Sequence, residues 1–340
     1  MRESILTHPT MPHRFLITGA TGFVGSHIAE ACVARGHLVS AIARSSSDVS
    51  FLQSHSIAIH TGDCTDALFV NQALADVDVV VHCAAKVGDQ GLVEDYRAVN
   101  VQGLRTLLEA GKNRSWHRFV QMSSLGVYEA RHHYGTDESV PASLTHFDGY
   151  SQSKAEAEQV AVLYHKNHGI PVVVLRPGFV YGPRDRNVLP KLIDRLHVGK
   201  VHYLGGGRMA LNATYIGNLV DAVFLAIDDP QAIGQIYNLT DGESVTKQRF
   251  IEAIAEGMGY KKPRQVLPRW LAAILVKLLE RQIRRAGPNE NTRLTPAQFK
   301  FLLLNLDFSI EKAKRELSYQ PRVGFDQAMR ETMAWYRENT

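Results

Sequence analysis

Tyr150 and Lys154 stand four residues apart in the segment Tyr150-Ser151-Gln152-Ser153-Lys154. On a helix that spacing puts both side chains on one face. A phenol titrates near 10 in water, too high for ready proton exchange near neutrality. A neighbouring ammonium, together with a cationic ring bound in the same site, favours the phenolate. The pair is therefore a candidate proton donor and acceptor. Ser123 and Ser124 add hydroxyls able to hold a substrate oxygen. Taken alone, a Tyr-x-x-x-Lys spacing is common by chance, so its meaning rests on what the surrounding segments bind.

One such segment is the turn Thr18-Gly19-Ala20-Thr21-Gly22-Phe23-Val24-Gly25. It follows a short apolar run and opens a helical pattern. In this G-x-x-G-x-x-G spacing Gly19 makes the tight turn, Gly22 lets backbone approach a pyrophosphate, and Gly25 lets helix pack on strand. The helix start offers free N–H groups and partial positive charge to the phosphates. About 20 residues on, where an NAD site usually carries an acid for the ribose hydroxyls, the chain has Ala43, then Arg44, Ser45, Ser46 and Ser47. An acid there would repel a 2′-phosphate, whereas Arg44 would pair with one. NADP(H) is thus expected over NAD(H). Asp63 is expected against the adenine; the plainer alternative is a turn residue after Gly62.

The elements that must position these residues alternate. Residues 14–18, 38–43, 57–61, 77–83, 118–122 and 172–176 read as short buried strands. Residues 26–35, 92–112 and 150–168 read as helices between them. Strands that are apolar on both faces imply a parallel sheet covered on two sides, hence an α/β, doubly wound, nucleotide-binding (Rossmann) fold. Beyond Pro177 come Gly- and Pro-rich segments, helices at 217–228 and 247–257, a strand at 235–240, and a basic, mostly helical C-terminal cap. The expected division is 12–180 plus 212–240 for the dinucleotide domain, and 181–211 plus 241–340 for the substrate-binding cap. Residues ahead of 12 read as a tail, or Met11 as the true start.

Together these residues resemble the short-chain dehydrogenase/reductase superfamily, and its extended branch in particular. TGATGFVG, GD at 62–63, HCAA at 82–85, SS at 123–124, YSQSK and RPGFVYGP occur in that family's order. The resemblance implies Tyr150 as acid–base, Lys154 as its modulator and a bond from Lys154 to the nicotinamide ribose. It implies Ser124, four before Tyr128, as the binder of the substrate oxygen. It also implies that Thr21, Phe23, Val24, Cys64, Ala84, Ala85, Lys86, Asn100, Pro177, Gly178 and Val180 border the cofactor. Within the branch the chain is most similar to 3β-hydroxysteroid dehydrogenase-type proteins and to 2-alkyl-3-oxoalkanoate reductases. The stretches AAKVGDQGLVEDYRAVNVQGLRTLLEA, TYIGNLVDA and YNLTDGESVTKQRF carry that similarity. The implied activity is interconversion of a ketone and a secondary alcohol on a hydrophobic substrate. The alternatives are a nucleotide-sugar epimerase or dehydratase, for which Arg184, Arg186 and Arg293 could hold a diphosphate, and a non-catalytic NADP(H) sensor. A homodimer is implied as well.

Composition narrows the classes. The chain has 340 residues, 45% hydrophobic and 21% charged, which fits a globular protein of one large or two intimate domains. No run of about 18 uncharged apolar residues occurs, so no membrane-spanning helix is expected. Cys32, Cys64 and Cys83 are scattered with no CxxC, which argues against a disulfide framework or zinc site and fits a reducing cytoplasm. The net charge of +4 is too mild to suggest nucleic acid, but residues 261–300 hold ten Lys or Arg against Glu280 and Glu290. Within 268–285, Trp270, Leu271, Ile274, Leu275, Leu278 and Leu279 recur at helical spacing before Arg281, Arg284 and Arg285. This stretch reads as a cap helix over an apolar substrate, with peripheral membrane contact as the alternative. Lys86, Tyr181, Arg184 and Tyr215 are expected at the substrate's border, and no metal site is expected.

Overall fold

The computed structural model describes residues 12–88, 91–146, 148–268, 274 and 302–339. Seven strands form the central sheet: β1 (Arg14–Thr18), β2 (Leu38–Ala43), β3 (Ala58–Thr61), β4 (Val79–His82), β5 (Arg118–Met122), β6 (Val172–Pro177) and β7 (Ile236–Leu239). Their order across the sheet is β3-β2-β1-β4-β5-β6-β7, and every pairing is parallel. The helices are α1 (Phe23–Ala34), α2 (Ser50–Ser54), α3 (Ala67–Ala73), α4 (Val93–Tyr96), α5 (Gly103–Gly111) and α6 (Gly149–His168). After them come α7 (Leu189–His197), α8 (Ile216–Asp228), α9 (Lys247–Gly257), α10 (Glu311–Leu317) and α11 (Phe325–Asn339).

The strand sequences explain the two-sided packing. Successive strand residues point to opposite faces, so an unbroken apolar run needs cover on both. Ile17, Val81, Val120 and Val173 join Ile28 of α1 and Leu219 and Val223 of α8 in one core. Their neighbours Leu16, Val80, Phe119 and Val174 join Leu104 and Leu107 of α5 and Val160 of α6 in the other. Removing a buried aliphatic side chain such as Val80 or Val120, each wholly inaccessible, costs about 2–4 kcal/mol.

The order reverses at β1, which lies between β2 and β4. In open sheets of this kind the crevice beyond the carboxyl ends at such a reversal holds the ligand. Thr18 is in register with Ile42 on one side and His82 on the other. The turn after Thr18, Arg44 and Cys83-Ala84 therefore emerge together at that end.

Most expected elements occur within two residues of their expected limits. Two differ in ways that matter. Helix α1 starts at Phe23 rather than at 26, because Gly22 serves as its cap. The segment 92–112 is not one uniform helix: Arg97–Gln102 is π-helical between α4 and α5. A π-helical turn pushes an extra residue out of the regular ladder and often marks a functional position. Here it turns Asn100 inward, where its side chain accepts from Lys86 N at 2.6 Å and donates to Lys86 O at 3.1 Å.

Outside the sheet, strand 179–181 pairs with 213–215, and strand 133–136 with 306–308. α9 packs on α11 where Gly257 leaves room for Met333. Apart from Pro268 and Ile274, the amphipathic stretch 268–285 lies outside the described residues, as does Arg293. Among the described residues no helix is long and apolar enough to cross a membrane.

Candidate active site

A cleft of about 900 Å³ opens at the reversal point, lined by the glycine turn, the end of β2, the segment 62–65 and the end of β4. Gly19 sits at φ +70°, and a Cβ there would stand 2.6 Å from Ala84 N. A Cβ on Gly25 would run into the Gly19 carbonyl. Glycine at both positions is thus required by the close passage of the turn between β4 and α1. Helix α1 is capped by Gly22, with no side-chain cap bond and no acid in its first turn. Its first N–H groups and the positive end of its dipole face the cleft, an arrangement that fits a pyrophosphate.

The expected residues Gly19, Thr21, Gly22, Phe23, Val24, Gly25, Arg44, Asp63, Cys64, Ala84, Ala85 and Lys86 all line this cleft. Asp63 folds back on its own turn, accepting Thr65 N at 2.9 Å and Thr65 Oγ1 at 2.7 Å. These bonds hold its carboxyl below the usual range, with Arg44 adding a smaller electrostatic contribution. Arg44 is exposed; its carbonyl accepts Ser47 N at 2.9 Å, while its side chain hydrogen-bonds none of the described residues. Lys86 Nζ pairs with Asp95 Oδ2 at 3.0 Å. Thr65, Asp95, Val99 and Asn187 also line the cleft, beyond the residues expected there. Val99 has a signal in its neighbour Asn100, whereas Asn187 arrives from a distant loop that carries none.

The Tyr150 side of the site is organised by α6 against the end of β5. Asp148 caps α6 by accepting Ser151 N at 2.7 Å, which fixes the helix start and hence the direction of Tyr150. The Ser124 hydroxyl stands close to the Tyr150 phenol, and it accepts Gly126 N at 3.0 Å. One turn on, Lys154 is buried and donates to the Met122 carbonyl at 2.8 Å. Its Nζ is 5.9 Å from the centre of the Tyr150 ring. Ser123 is turned away from the phenol and donates instead to Glu158. The structure therefore brings Ser124, Tyr150 and Lys154 together and separates Ser123 from them. Asn100 reaches this group from behind, donating to Ser153 Oγ at 2.8 Å.

The electrostatics differ from the expected phenolate. Burial pushes the Tyr150 phenol up to about 12; the nearby Ser124 hydroxyl opposes this and Asp148 reinforces it. Burial likewise pulls Lys154 down to about 8, opposed by Cys83 and Glu158. The ammonium points at a carbonyl rather than at the phenol oxygen, so desolvation wins and Tyr150 is held as the neutral acid.

Lys154 consequently costs stability. Its folded value lies below the unfolded value of 10.5, so between pH 8 and 10.5 the unfolded chain keeps a proton that the folded chain has lost. Stability rises with pH across that window, and the full penalty, about 3 kcal/mol, is present below it. Lys154→Met leaves the Met122 carbonyl without its donor, a loss of about 1 kcal/mol. Net stabilisation of about 2 kcal/mol is expected at pH 7, narrowing toward pH 10. Thermal denaturation at both pH values checks it, and a variant less stable at pH 7 contradicts the assignment.

The remaining expected residues have other engagements. Gly178 N is bonded to Leu239 O at 3.0 Å and Thr214 Oγ1 at 3.1 Å, and its missing side chain admits the Asn212 carbonyl. Pro177 ends β6, and Val180 pairs with Thr214. Tyr181, Arg184 and Tyr215, expected at the substrate's border, each have the polar end engaged within the fold. Tyr181 is fully buried and donates to Asp241 Oδ2 at 3.2 Å. Tyr215 donates to Glu331 at 2.6 Å. Arg184 pairs with Glu30 at 2.6 Å and lies over the Phe51 ring at 4.5 Å. In each case a carboxylate supplied by the fold fixes the polar end.

A family model described as the NAD dependent epimerase/dehydratase family matches residues 15–240. The chain is 30% identical over 341 residues, 95% of its own length and 90% of the relative's, to a 3 beta-hydroxysteroid dehydrogenase/Delta 5-->4-isomerase of Mycobacterium tuberculosis. It is 29% identical over 333 residues to a 2-alkyl-3-oxoalkanoate reductase of Stenotrophomonas maltophilia, covering 94% of this chain and 98% of that one. Among solved structures it is similar to a UDP-glucose 4-epimerase of Thermus thermophilus in complex with NAD. The TM-score is 0.73 at 25% identity, over 96% of this chain and all of the other. The glycine cradle at the sheet's reversal point, the Ser124–Tyr150–Lys154 group beside it and these matches converge. The chain belongs to the NAD dependent epimerase/dehydratase family, the extended short-chain dehydrogenase/reductases, and works by NAD(P)-dependent oxidoreduction.

Proposed function

We propose that the protein reduces a ketone to a secondary alcohol, and runs the reverse reaction, on a hydrophobic substrate of the 3-keto steroid or long-chain β-keto acid kind. The observation that carries this is the placement of the Ser124 hydroxyl close to the Tyr150 phenol, with Lys154 one turn away in a buried site. The bound nicotinamide supplies the carbon that exchanges hydride. Everything else is done by the chain. The two hydroxyls converge on one oxygen and donate to it as negative charge develops there. Tyr150, kept neutral by burial, has a proton to give to that oxygen. Lys154 supplies the positive charge that makes the resulting phenolate tolerable. In the alcohol-to-ketone direction Tyr150 takes the proton back. The substrate chemistry of the two relatives above, a steroid dehydrogenase and an oxoalkanoate reductase, supports an apolar ketone.

The preferred cofactor in this proposal is NADP(H). No carboxylate ends β2, Asp63 is occupied by Thr65, and Arg44 is open toward the cleft. A charge-assisted bond to a phosphate contributes about 1.5–3 kcal/mol. Arg44→Ala is therefore expected to weaken NADPH binding by about 10–100-fold and NADH binding little, as read by fluorescence titration. Equal losses for both would remove the 2′-phosphate assignment.

A nucleotide-sugar epimerase uses the same three residues and is the competing proposal, favoured by the similarity to the Thermus enzyme. Arg184, one of the arginines that could clamp a diphosphate, is already paired with Glu30. Cofactor oxidation is the test: NADPH and NADH are offered with steroid ketones, long-chain β-keto acids and nucleotide sugars. Consumption of NADPH with an apolar ketone is expected. Turnover of a nucleotide sugar without added cofactor would replace this function with the epimerase.

A further inference from the structure

The residue one turn beyond Lys154 is Glu158, so Tyr150, Lys154 and Glu158 form a single row on α6 at i, i+4 and i+8. Opposite this row, three consecutive residues leave the end of β5: Met122, Ser123 and Ser124. Each lies against one member of the row. The Ser124 hydroxyl stands close to the Tyr150 phenol, the Met122 carbonyl accepts from Lys154 at 2.8 Å, and Ser123 donates to Glu158 Oε1. Glu158 is in turn gripped by Arg176, whose Nε is 2.9 Å from Oε1 and whose Nη2 is 2.6 Å from Oε2. Both partners are almost wholly buried, at 3% and 4% exposure of their side chains. Arg176 also donates to the Tyr128 hydroxyl at 2.8 Å, and Ser123 N is tied to Leu175 O of β6 at 2.7 Å.

The geometry points to Glu158, clamped by Arg176, as a positioning residue that fixes the Met122–Ser124 turn against α6 and keeps the Lys154 ammonium charged. A buried ion pair adds little net stability over an apolar pair of the same size, so its presence beneath the reacting groups calls for another purpose. Two of its bonds answer to that purpose. The Ser123 bond sets the direction in which Ser124 leaves the strand, and the carboxylate places negative charge one turn from Lys154. The charged or titratable groups facing Lys154 are His82 and Cys83 at the end of β4, Glu158 on its own helix and Tyr150 one turn before. Of these, Glu158 is the carboxylate, and Arg176 holds it in a buried ion pair.

This role rests on Tyr150 being the acid–base group, and two readouts separate it from that assignment. The first needs no turnover: the Lys154 ¹³Cε resonance is titrated in protein free of dinucleotide. The wild-type midpoint is expected near 8, and Glu158→Gln should lower it by about one pH unit. Should that single variant not fold, Glu158→Gln combined with Arg176→Met removes the two opposed charges together and should displace the midpoint in the same direction by a smaller amount, since Glu158 is the partner that acts on Lys154. A wild-type midpoint in a folded variant overturns the charge-setting role. The second readout is Ser123→Ala, which cuts one bond of the turn and unbalances no charge. It should lower kcat roughly tenfold with the dinucleotide Kd unchanged; an unchanged kcat overturns the positioning role. If the wild-type protein turns over no ketone at all, the proposed function fails while the midpoint still decides whether Glu158 governs Lys154.

Discussion

Tyr150→Phe removes turnover by about 10³-fold or more while leaving dinucleotide binding within a few-fold of wild type. The substitution takes away one oxygen and nothing else. That oxygen is the proton donor, and it is one of two donors aimed at the developing alkoxide. General acid catalysis contributes about 10²–10⁴-fold, and loss of a single oriented donor about 10²–10³-fold. The two overlap in one group, so the losses do not simply multiply. The cradle for the dinucleotide, formed by Gly19, Gly22 and Gly25 across the cleft, is untouched. Steady-state kinetics with the ketone found in the cofactor screen, beside a fluorescence titration of NADPH, separate these quantities. Loss of both in parallel would mean that Tyr150 supports the fold rather than the reaction.

Gly19→Ala has the second large effect, at the other end of the site. Two terms add. An alanine at φ +70° carries left-handed strain of about 1–2 kcal/mol, and its Cβ would stand 2.6–2.8 Å from the backbone of Cys83 and Ala84. Something must move, and the nearest atoms are main chain from β4's end, which lines the same cleft. Dinucleotide affinity should fall by at least about 100-fold, consistent with losing two or more charge-assisted phosphate bonds. Gly36 supplies the control. It sits at φ +80° with nothing within 4 Å of where a Cβ would stand, so Gly36→Ala carries the strain without the collision. It should lose about 1 kcal/mol of stability and bind dinucleotide normally. Equal affinities for the two variants would refute the cradle.

Much of this is legible in the residues, for reasons that can be stated. The strands at 14–18, 38–43 and 118–122 fall where expected, because runs apolar on both faces between turn residues admit few other folds. The Tyr150–Lys154 pair is legible because helical periodicity alone places it on one face. Ser124 is preferred to Ser123 by resemblance, and the structure shows the physical reason: Ser123 is committed to Glu158. The protonation of Tyr150 is not legible, because burial is a property of the assembled site and outweighs a lysine whose direction no sequence reveals. The π-helical turn at Arg97–Gln102 escapes a sequence reading for a related reason. Its sequence carries ordinary helical periodicity, and the bond from Asn100 to Lys86 that stabilises it is tertiary. The engagements of Tyr181, Arg184 and Tyr215 are not legible because their partners Asp241, Glu30 and Glu331 lie 60, 154 and 116 residues away.

The central claim is that the phenol of Tyr150, held beside Ser124 and Lys154, faces a dinucleotide seated on the glycine turn. A crystal structure of the protein grown with NADP(H) measures this directly. The account predicts pyrophosphate oxygens accepting from the backbone at Gly22 to Val24, with the Tyr150 hydroxyl directed at the nicotinamide end of the cleft. Phosphates bound away from that turn, or a Tyr150 hydroxyl directed away from the nicotinamide, would contradict it.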